Sequence, residues 1–290
     1  MTPVIHTTDY RVEPGATVDL TSVSTLPAFA DLGKHKLRKA LRERVRRFST
    51  WQELLYAEDR RAVLLVFQGM DASGKDSAIK RVTSGVNPQG FRVTNFNRPS
   101  SQEIEFSWLH RHWLTLPERG RIGIFNRSHY EEVVTLRVHP EYLRARKLPP
   151  RPVDEAFWDE RLADIVAFED HLVRNGTSVL KFFLNVSPEE QKRRLTDRLR
   201  NPKKHWKFDP SDLEARQHWD GYRRAYEAAF QATSTATAPW HVIPADSKPA
   251  ARVIIATIIV EALAAMDPAF PDADDALVKD IQTLRRSLGP

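Results

Sequence analysis

The 290-residue chain contains no cysteine. Neither a disulfide framework nor a thiolate zinc site is open to it, and a reducing compartment, the cytoplasm, is the natural expectation. Other absences narrow the class. The first twenty residues, MTPVIHTTDYRVEPGATVDL, have no apolar core flanked by basic residues and do not read as a signal peptide. The longest apolar stretch, VIIATIIVEALAAM from Val253, is too short to cross a bilayer and carries Glu261. A soluble protein with no membrane partner is expected. The chain also lacks a helix-turn-helix signature, an RNP-type aromatic motif and a zinc finger, and it has no internal repeat or low-complexity tract.

What is present is an excess of positive charge and a regular alternation of elements. Lys and Arg number 44 against 38 Asp and Glu, a net charge of +6, which suggests a polyanionic partner. With the nucleic-acid motifs missing, a polyanion other than nucleic acid is the expectation. Apolar, β-branched runs recur at 61–68, 91–97, 121–127, 177–186 and 240–245. Helical patterns fill the intervals at 75–86, 101–118, 154–175, 188–200, 210–232 and 249–266. Strands alternating with helices predict an α/β fold with a parallel, doubly wound sheet. Ser100-x-x-Glu103 and Ser187-Pro188-x-Glu190 have capping-box spacing. The basic segment 35–60 reads as a helical pair broken near Ser49-Thr50, where Thr50-x-x-Glu53 restarts it. Residues 1–30 form an extended arm, 31–270 the main domain, 140–153 a proline-rich connection and 271–290 a partly helical tail.

The segment GMDASGKDS, 69–77, nearly fits the phosphate-loop pattern G-x-x-x-x-G-K-[ST]. Such a loop joins a strand to a helix, turning backbone N–H groups and the helix N-terminus toward an anion. Gly69 and Gly74 permit the turn, Met70, Ala72 and Ser73 line it, and Lys75 reaches phosphate oxygens as a point charge. The pattern departs at Asp76, which stands where a metal-binding hydroxyl belongs, and the hydroxyl is displaced to Ser77. Asp71 offers the hard carboxylate oxygen that Mg²⁺ favours. A second metal-site residue, commonly an aspartate, is expected at the end of a neighbouring strand. RIGIFNRSHYEEV, 121–133, supplies Asn126 there, followed by Arg127, Glu131 and Glu132. A solvated helix start is the lesser, bland alternative for the two glutamates.

Taken together, GMDASGKDSAIKRVTSGVNPQGF, GRIGIFNRSHYEEV, NPKKHWKFDPSDLEARQHWDGY and TSTATAPWHVIPADSKPAAR, in this order between about residues 35 and 266, closely resemble the polyphosphate kinase 2 family. The resemblance implies a three-layer α/β/α P-loop kinase fold with about five parallel strands and a helical lid, at about 195–216. It implies transfer of the terminal phosphate of inorganic polyphosphate to AMP and/or ADP, giving ADP and ATP reversibly. Guanine nucleotides are further candidate partners, and family members commonly assemble as dimers or tetramers. Asn126 before Arg127 and Ser128, with Glu131 available, resembles the class III members, which phosphorylate both AMP and ADP.

On this reading Asp71, Asn126 and Glu131 hold Mg²⁺, with Mn²⁺ as a substitute. Lys75 and Arg127 stabilise the transferred group by alignment and charge neutralisation. The attacking phosphate oxygen is already an anion, so no general base is needed. A phosphohistidine route through His129 is the minor alternative. Lys80, Arg81, Arg98 and Arg137 are candidates for tracking the polyphosphate chain, and Arg198, Lys203, Lys204 and Lys207 for clamping it from the lid. His110, His112 and His139 carry no ligand spacing, and Trp108, Trp113, Trp206 and Trp219 read as packing residues. Competing readings are an ATP-dependent nucleoside monophosphate kinase of thymidylate-kinase type and a nucleic-acid-associated ATPase or binding module.

Overall fold

The computed structural model describes residues 3–207 and 216–288. Five strands, β1 (Ala62–Gln68), β2 (Phe91–Asn95), β3 (Ile122–Asn126), β4 (Thr177–Asn185) and β5 (Trp240–Pro244), form one sheet in the order β2-β3-β1-β4-β5. Every pairing is parallel. All seven residues of β1 and all five of β5 are buried, the continuous apolar pattern of strands covered on both faces. The edge strand β2 is largely exposed instead.

Among the described residues the seven longer helices are α1 (Lys34–Glu58), α2 (Lys75–Val82), α3 (Glu155–Arg174), α4 (Pro188–Arg200), α5 (Trp219–Thr233), α6 (Lys248–Met266) and α7 (Asp275–Leu288). α1 and α2 pack on α6, while α3 packs on α5 and β4. α1 is one uninterrupted helix, not the expected pair. Thr50 donates its hydroxyl back to Arg46 O (3.3 Å) inside it, and Phe48, Gln52 and Leu55 continue the buried face across the supposed break. α6 begins one residue before the expected helix at 249–266. Its 19 residues reach a membrane-spanning length and apolarity, but 61% of the apolar window is buried inside the molecule. A core helix enclosed on all sides has the same composition as one facing lipid.

Segment 101–118 is not the helix its periodicity suggests. Only a 3₁₀ turn at Glu103–Glu105 and a helical turn at His110–Trp113 form there. The capping box is real: Ser100 N donates to Glu103 Oε2 (2.7 Å) and Glu103 N to Ser100 Oγ (3.2 Å). It caps a single turn, because Phe106 is extended at φ −107°, ψ 168° and stacks on His110. The expected helix at 210–232 is described from Trp219 onward, and residues 210–215 lie outside the described residues. The N-terminal arm covers the free edge of β5. Val12 N donates to Trp240 O (2.8 Å) and Ser234 Oγ to Val12 O (2.6 Å), so that edge is paired rather than open.

In this strand order the chain leaves β1 and β3 in opposite directions across the sheet. Ligands in open α/β sheets bind outside the carboxyl ends of the strands at such a point. The register Phe67↔Asn126 sets Gly69 and Arg127 side by side there.

Candidate active site

The loop after β1 has the backbone that its glycines allow. Gly69 sits at φ +143°, and a Cβ on it would lie 2.9 Å from Leu184 O. Gly74, at φ +109°, precedes the first residue of α2. Lys75 is only 8% exposed. Its ammonium donates to Gly69 O (2.7 Å) and Met70 O (3.3 Å), closing the loop on itself. Burial pushes its pKa down and the Arg127 guanidinium adds to that, so an arriving phosphate anion meets a cation whose charge it favours. The displaced hydroxyl of Ser77 turns back to Gly74 O (2.9 Å).

The outer side of the loop is held by residues to which the sequence assigned no part in the site. Arg194 of α4, 4% exposed, donates to Ser73 O (2.6 Å), Ala72 O (3.1 Å) and Ala245 O (2.6 Å). Glu190 one turn earlier fixes its Nε at 2.6 Å. Gln191 donates to Asp71 O (3.0 Å). The Glu190–Arg194 spacing was the available signal, but any solvated helix pair shows it.

From the end of β3, Arg127 takes a left-handed backbone at φ +62°. Its guanidinium donates to Asp71 Oδ1 (2.8 Å) and lies 4.0 Å from Glu131 Oε2. Glu131, then Asp71, outweigh burial and raise its pKa. Glu131 accepts from Thr135 Oγ1 (2.6 Å). The Gln68 amide, oriented so that its nitrogen meets acceptors, donates to Glu131 Oε1 (3.1 Å) and accepts from the Ser128 hydroxyl (3.1 Å).

Asn126 donates to Asp76 Oδ1 (2.9 Å) and Asn95 Oδ1 (2.7 Å), and its own Oδ1 is buried without a partner. Asp76 is therefore part of the site and not merely an acid in the first turn of a helix. Among the described residues no three His, Cys, Asp or Glu cluster as metal ligands. Asp71 and Glu131 flanking Arg127, with the orphaned amide oxygen of Asn126, form a sparse hard-oxygen set. That set suits an ion that takes one or two carboxylates and finds its other ligands in substrate phosphates and water, as Mg²⁺ does.

The remaining expected residues divide. Arg98 lines a cavity of about 250 Å³ together with Asp71, Arg127, Glu131 and Tyr222, and donates to Tyr142 Oη (2.9 Å). Arg137 does not reach that cavity: it pairs with Glu155 and lies over Trp158. Lys80 and Arg81 are exposed on the last turn of α2. Arg198 is in the last turn of α4, and Lys203 and Lys204 are exposed in the 3₁₀ segment Pro202–Lys207. Lys207 ends that segment, and the rest of the expected lid, 208–215, lies outside the described residues.

Glu132 is no solvated helix start. It is 4% exposed and pairs with Arg146 (2.6 Å) and Arg161 (3.6 Å). His129 is fully buried against Glu169, which closes the phosphohistidine route, since an enclosed imidazole offers no line of attack. His112 and His139 are packed in the interior. Trp113 and Trp206, 48% and 79% exposed, are not core residues.

The sequence profile of Polyphosphate kinase 2 matches residues 31–271. The chain belongs to the polyphosphate kinase 2 family. Like other members, it is a phosphotransferase with a P-loop kinase fold. It is similar along its length to the ADP-polyphosphate phosphotransferase of Rhodopseudomonas palustris, at 43% identity over 98% of this chain and 99% of that protein. Identity to the AMP/ADP-polyphosphate phosphotransferase of Meiothermus ruber is 42%, covering 93% and 97%. The crystal structure of Polyphosphate Kinase 2 from Arthrobacter aurescens TC1 superposes with a TM-score of 0.84 at 34% identity, covering 96% of each chain.

Proposed function

We propose that the enzyme transfers the terminal phosphate of inorganic polyphosphate to AMP and ADP, reversibly and by in-line displacement. The observation that carries this reading is the hydrogen bond from Arg127 to Asp71 at 2.8 Å. It joins the phosphate loop of β1 to the strand end of β3 and concentrates cation and carboxylate beside Lys75. The names of the two relatives support the adenine-nucleotide acceptors.

In this mechanism Lys75 and the loop amides receive the transferring phosphate. Arg127, held by Asp71 and Glu131, neutralises charge on its equatorial oxygens. The acceptor nucleotide occupies the cavity beneath Arg98 and Tyr142, which brings its terminal phosphate toward Arg127. That phosphate oxygen is an anion already, so no side chain has to remove a proton. Asp71 and Glu131, with Asn126 Oδ1, would hold Mg²⁺. When bound, the ion would supply Lewis-acid neutralisation of phosphate charge.

Turnover with polyphosphate, Mg²⁺ and AMP, ADP, GMP or GDP in turn tests the reading. Formation of ATP from ADP with no nucleotide donor is expected. Phosphorylation that requires ATP as donor, and is silent with polyphosphate, would replace it with a nucleoside monophosphate kinase.

A further inference from the structure

Beneath the turn that carries Arg127 and Glu131 lies a polar cluster with no part in the chemistry above. Glu169 of α3 and Lys181 of β4 form an ion pair at 2.5 Å, with side chains 1% and 0% exposed. Tyr130 Oη lies 2.9 Å from Glu169 Oε1, and His129 Nε2 lies 3.2 Å from the same oxygen. Lys181 Nζ also donates to Tyr130 Oη (3.1 Å) and Thr233 O (2.7 Å). Thr233 Oγ1 takes the indole N–H of Trp240 at 2.9 Å.

A pair so enclosed is poorly explained by stability. The Coulomb attraction between two buried charges often fails to repay the loss of their water, and well-packed apolar residues of similar volume commonly do as well or better. An apolar pair cannot, however, give direction to its neighbours. The residues above it need direction, because the chain leaves β3 through the left-handed Arg127 and at once enters the 3₁₀ turn His129–Glu132. In such a turn residues three apart share a side. Ser128 and Glu131 meet Gln68 beside the loop, whereas His129 and Tyr130 are fully buried against the ion pair.

We propose that Glu169 and Lys181 are positioning residues, which anchor His129 and Tyr130 and thereby fix the directions of Arg127 and Glu131 toward the phosphate loop. The inference rests on the proposed roles of Arg127 and Glu131. Neither Glu169 nor Lys181 touches the cavity; they act through the turn.

The test combines Tyr130→Phe, which deletes one oxygen, with the double variant Glu169→Leu/Lys181→Met, which leaves no stranded charge. Unfolding temperature, kcat and both KM values are measured for each. The double variant is expected to unfold no lower than the wild type while kcat falls about tenfold or more. For Tyr130→Phe a loss of about threefold to fivefold is expected. In both, the KM values stay within about twofold. In an Arg127→Lys background the Tyr130→Phe loss should largely disappear, because the direction it protects no longer serves a guanidinium.

A folded double variant with wild-type kcat overturns the proposal. So does a Tyr130→Phe loss that is fully additive with Arg127→Lys, which is the behaviour of a purely structural group. Should the double variant not fold, Tyr130→Phe decides by the same ratios. Full turnover in Arg127→Lys alone would instead remove Arg127 from the site and the ground of this inference with it.

Discussion

The carboxyl ends of β1 and β3 and the segment that roofs the cavity, residues 97–117 with the turn at Pro140–Arg144, meet at the same site but are built differently. At the strand ends the functional groups rise from backbone that the sheet and the loop already hold. Lys75 bonds to two loop carbonyls, Arg194 clamps the loop from outside, and Arg127 N donates to Phe67 O at 3.0 Å. The roof consists of single turns pinned by side chains. Ser100 and Glu103 cap each other, Arg111 reaches Asn97 O (3.0 Å), and Arg98 lies against Tyr142. The difference matches the two tasks. Phosphoryl transfer needs alignment that is set before the substrate arrives, whereas an acceptor of one or two phosphates needs a wall of lower local stability that can adjust.

If the strand ends carry the chemistry, damage there should fall on kcat and damage to the roof on KM. The largest effect is expected from Lys75→Ala, a loss of about a thousandfold or more in both directions, with far-ultraviolet circular dichroism unchanged. Retained turnover in the folded variant would break the comparison at its strongest point.

Asp71→Asn should come next. The change keeps one oxygen for Arg127 but removes charge, so kcat should drop about a hundredfold and half-saturation by Mg²⁺ should move upward. Asp76→Asn should cost about tenfold, because it weakens the Asn126 contact but leaves the carboxylates beside Arg127 in place. The reverse order in a Mg²⁺ titration would shift the metal site to the Asp76–Asn126 side.

Asn126→Asp sharpens the same question without relying on turnover. It places a second carboxylate beside Asp76 where a hydrogen bond of 2.9 Å now stands. Like charges this close disfavour the folded state by about 1–3 kcal/mol. The unfolding temperature should fall at neutral pH, and Mg²⁺ should restore it more than it stabilises the wild type. The strain should also ease on acidification, since the mutant's folded-state carboxyl pKa is raised and a proton removes the repulsion. Equal Mg²⁺ responses in the two proteins would place the ion elsewhere.

The smallest effect belongs to the roof. Arg98→Ala should raise the nucleotide KM about threefold to tenfold and leave kcat within about twofold, because the cation touches the bound acceptor equally in ground and transition states. A fall in kcat with KM unchanged would make the roof part of the chemistry.

Much of the fold was legible in the order of the residues. Five apolar, β-branched runs became five parallel strands whose ends differ from the expected ones by at most two residues, although the edge strand β2 is largely exposed. The loop could be read because its parts are neighbours in the chain: Gly69 and Gly74 supply left-handed backbone and Lys75 opens the next helix. The misreadings have a common cause. Segment 101–118 and the supposed break at Ser49-Thr50 have local patterns compatible with more than one outcome, and tertiary partners decided between them. Phe106 stacks on His110 instead of continuing a helix, while the buried face of α1 carries it past Thr50. Arg137 and Arg98 look alike as basic residues near the motifs, yet one is spent on Glu155 and the other faces the cavity.

By itself the sequence determined what is local: the strand and helix alternation, the turn of the phosphate loop, the cap of α4 at Ser187 and the family to which these motifs point. Only the tertiary structure decided which distant groups share one site. Asp71 and Arg127 are 56 positions apart, Ser73 and Arg194 are 121 apart, and Gln68 meets Glu131 across two strands. No periodicity records such meetings. They arise because a parallel sheet returns the chain in the same direction each time, so that residues far apart in sequence leave its carboxyl edge side by side.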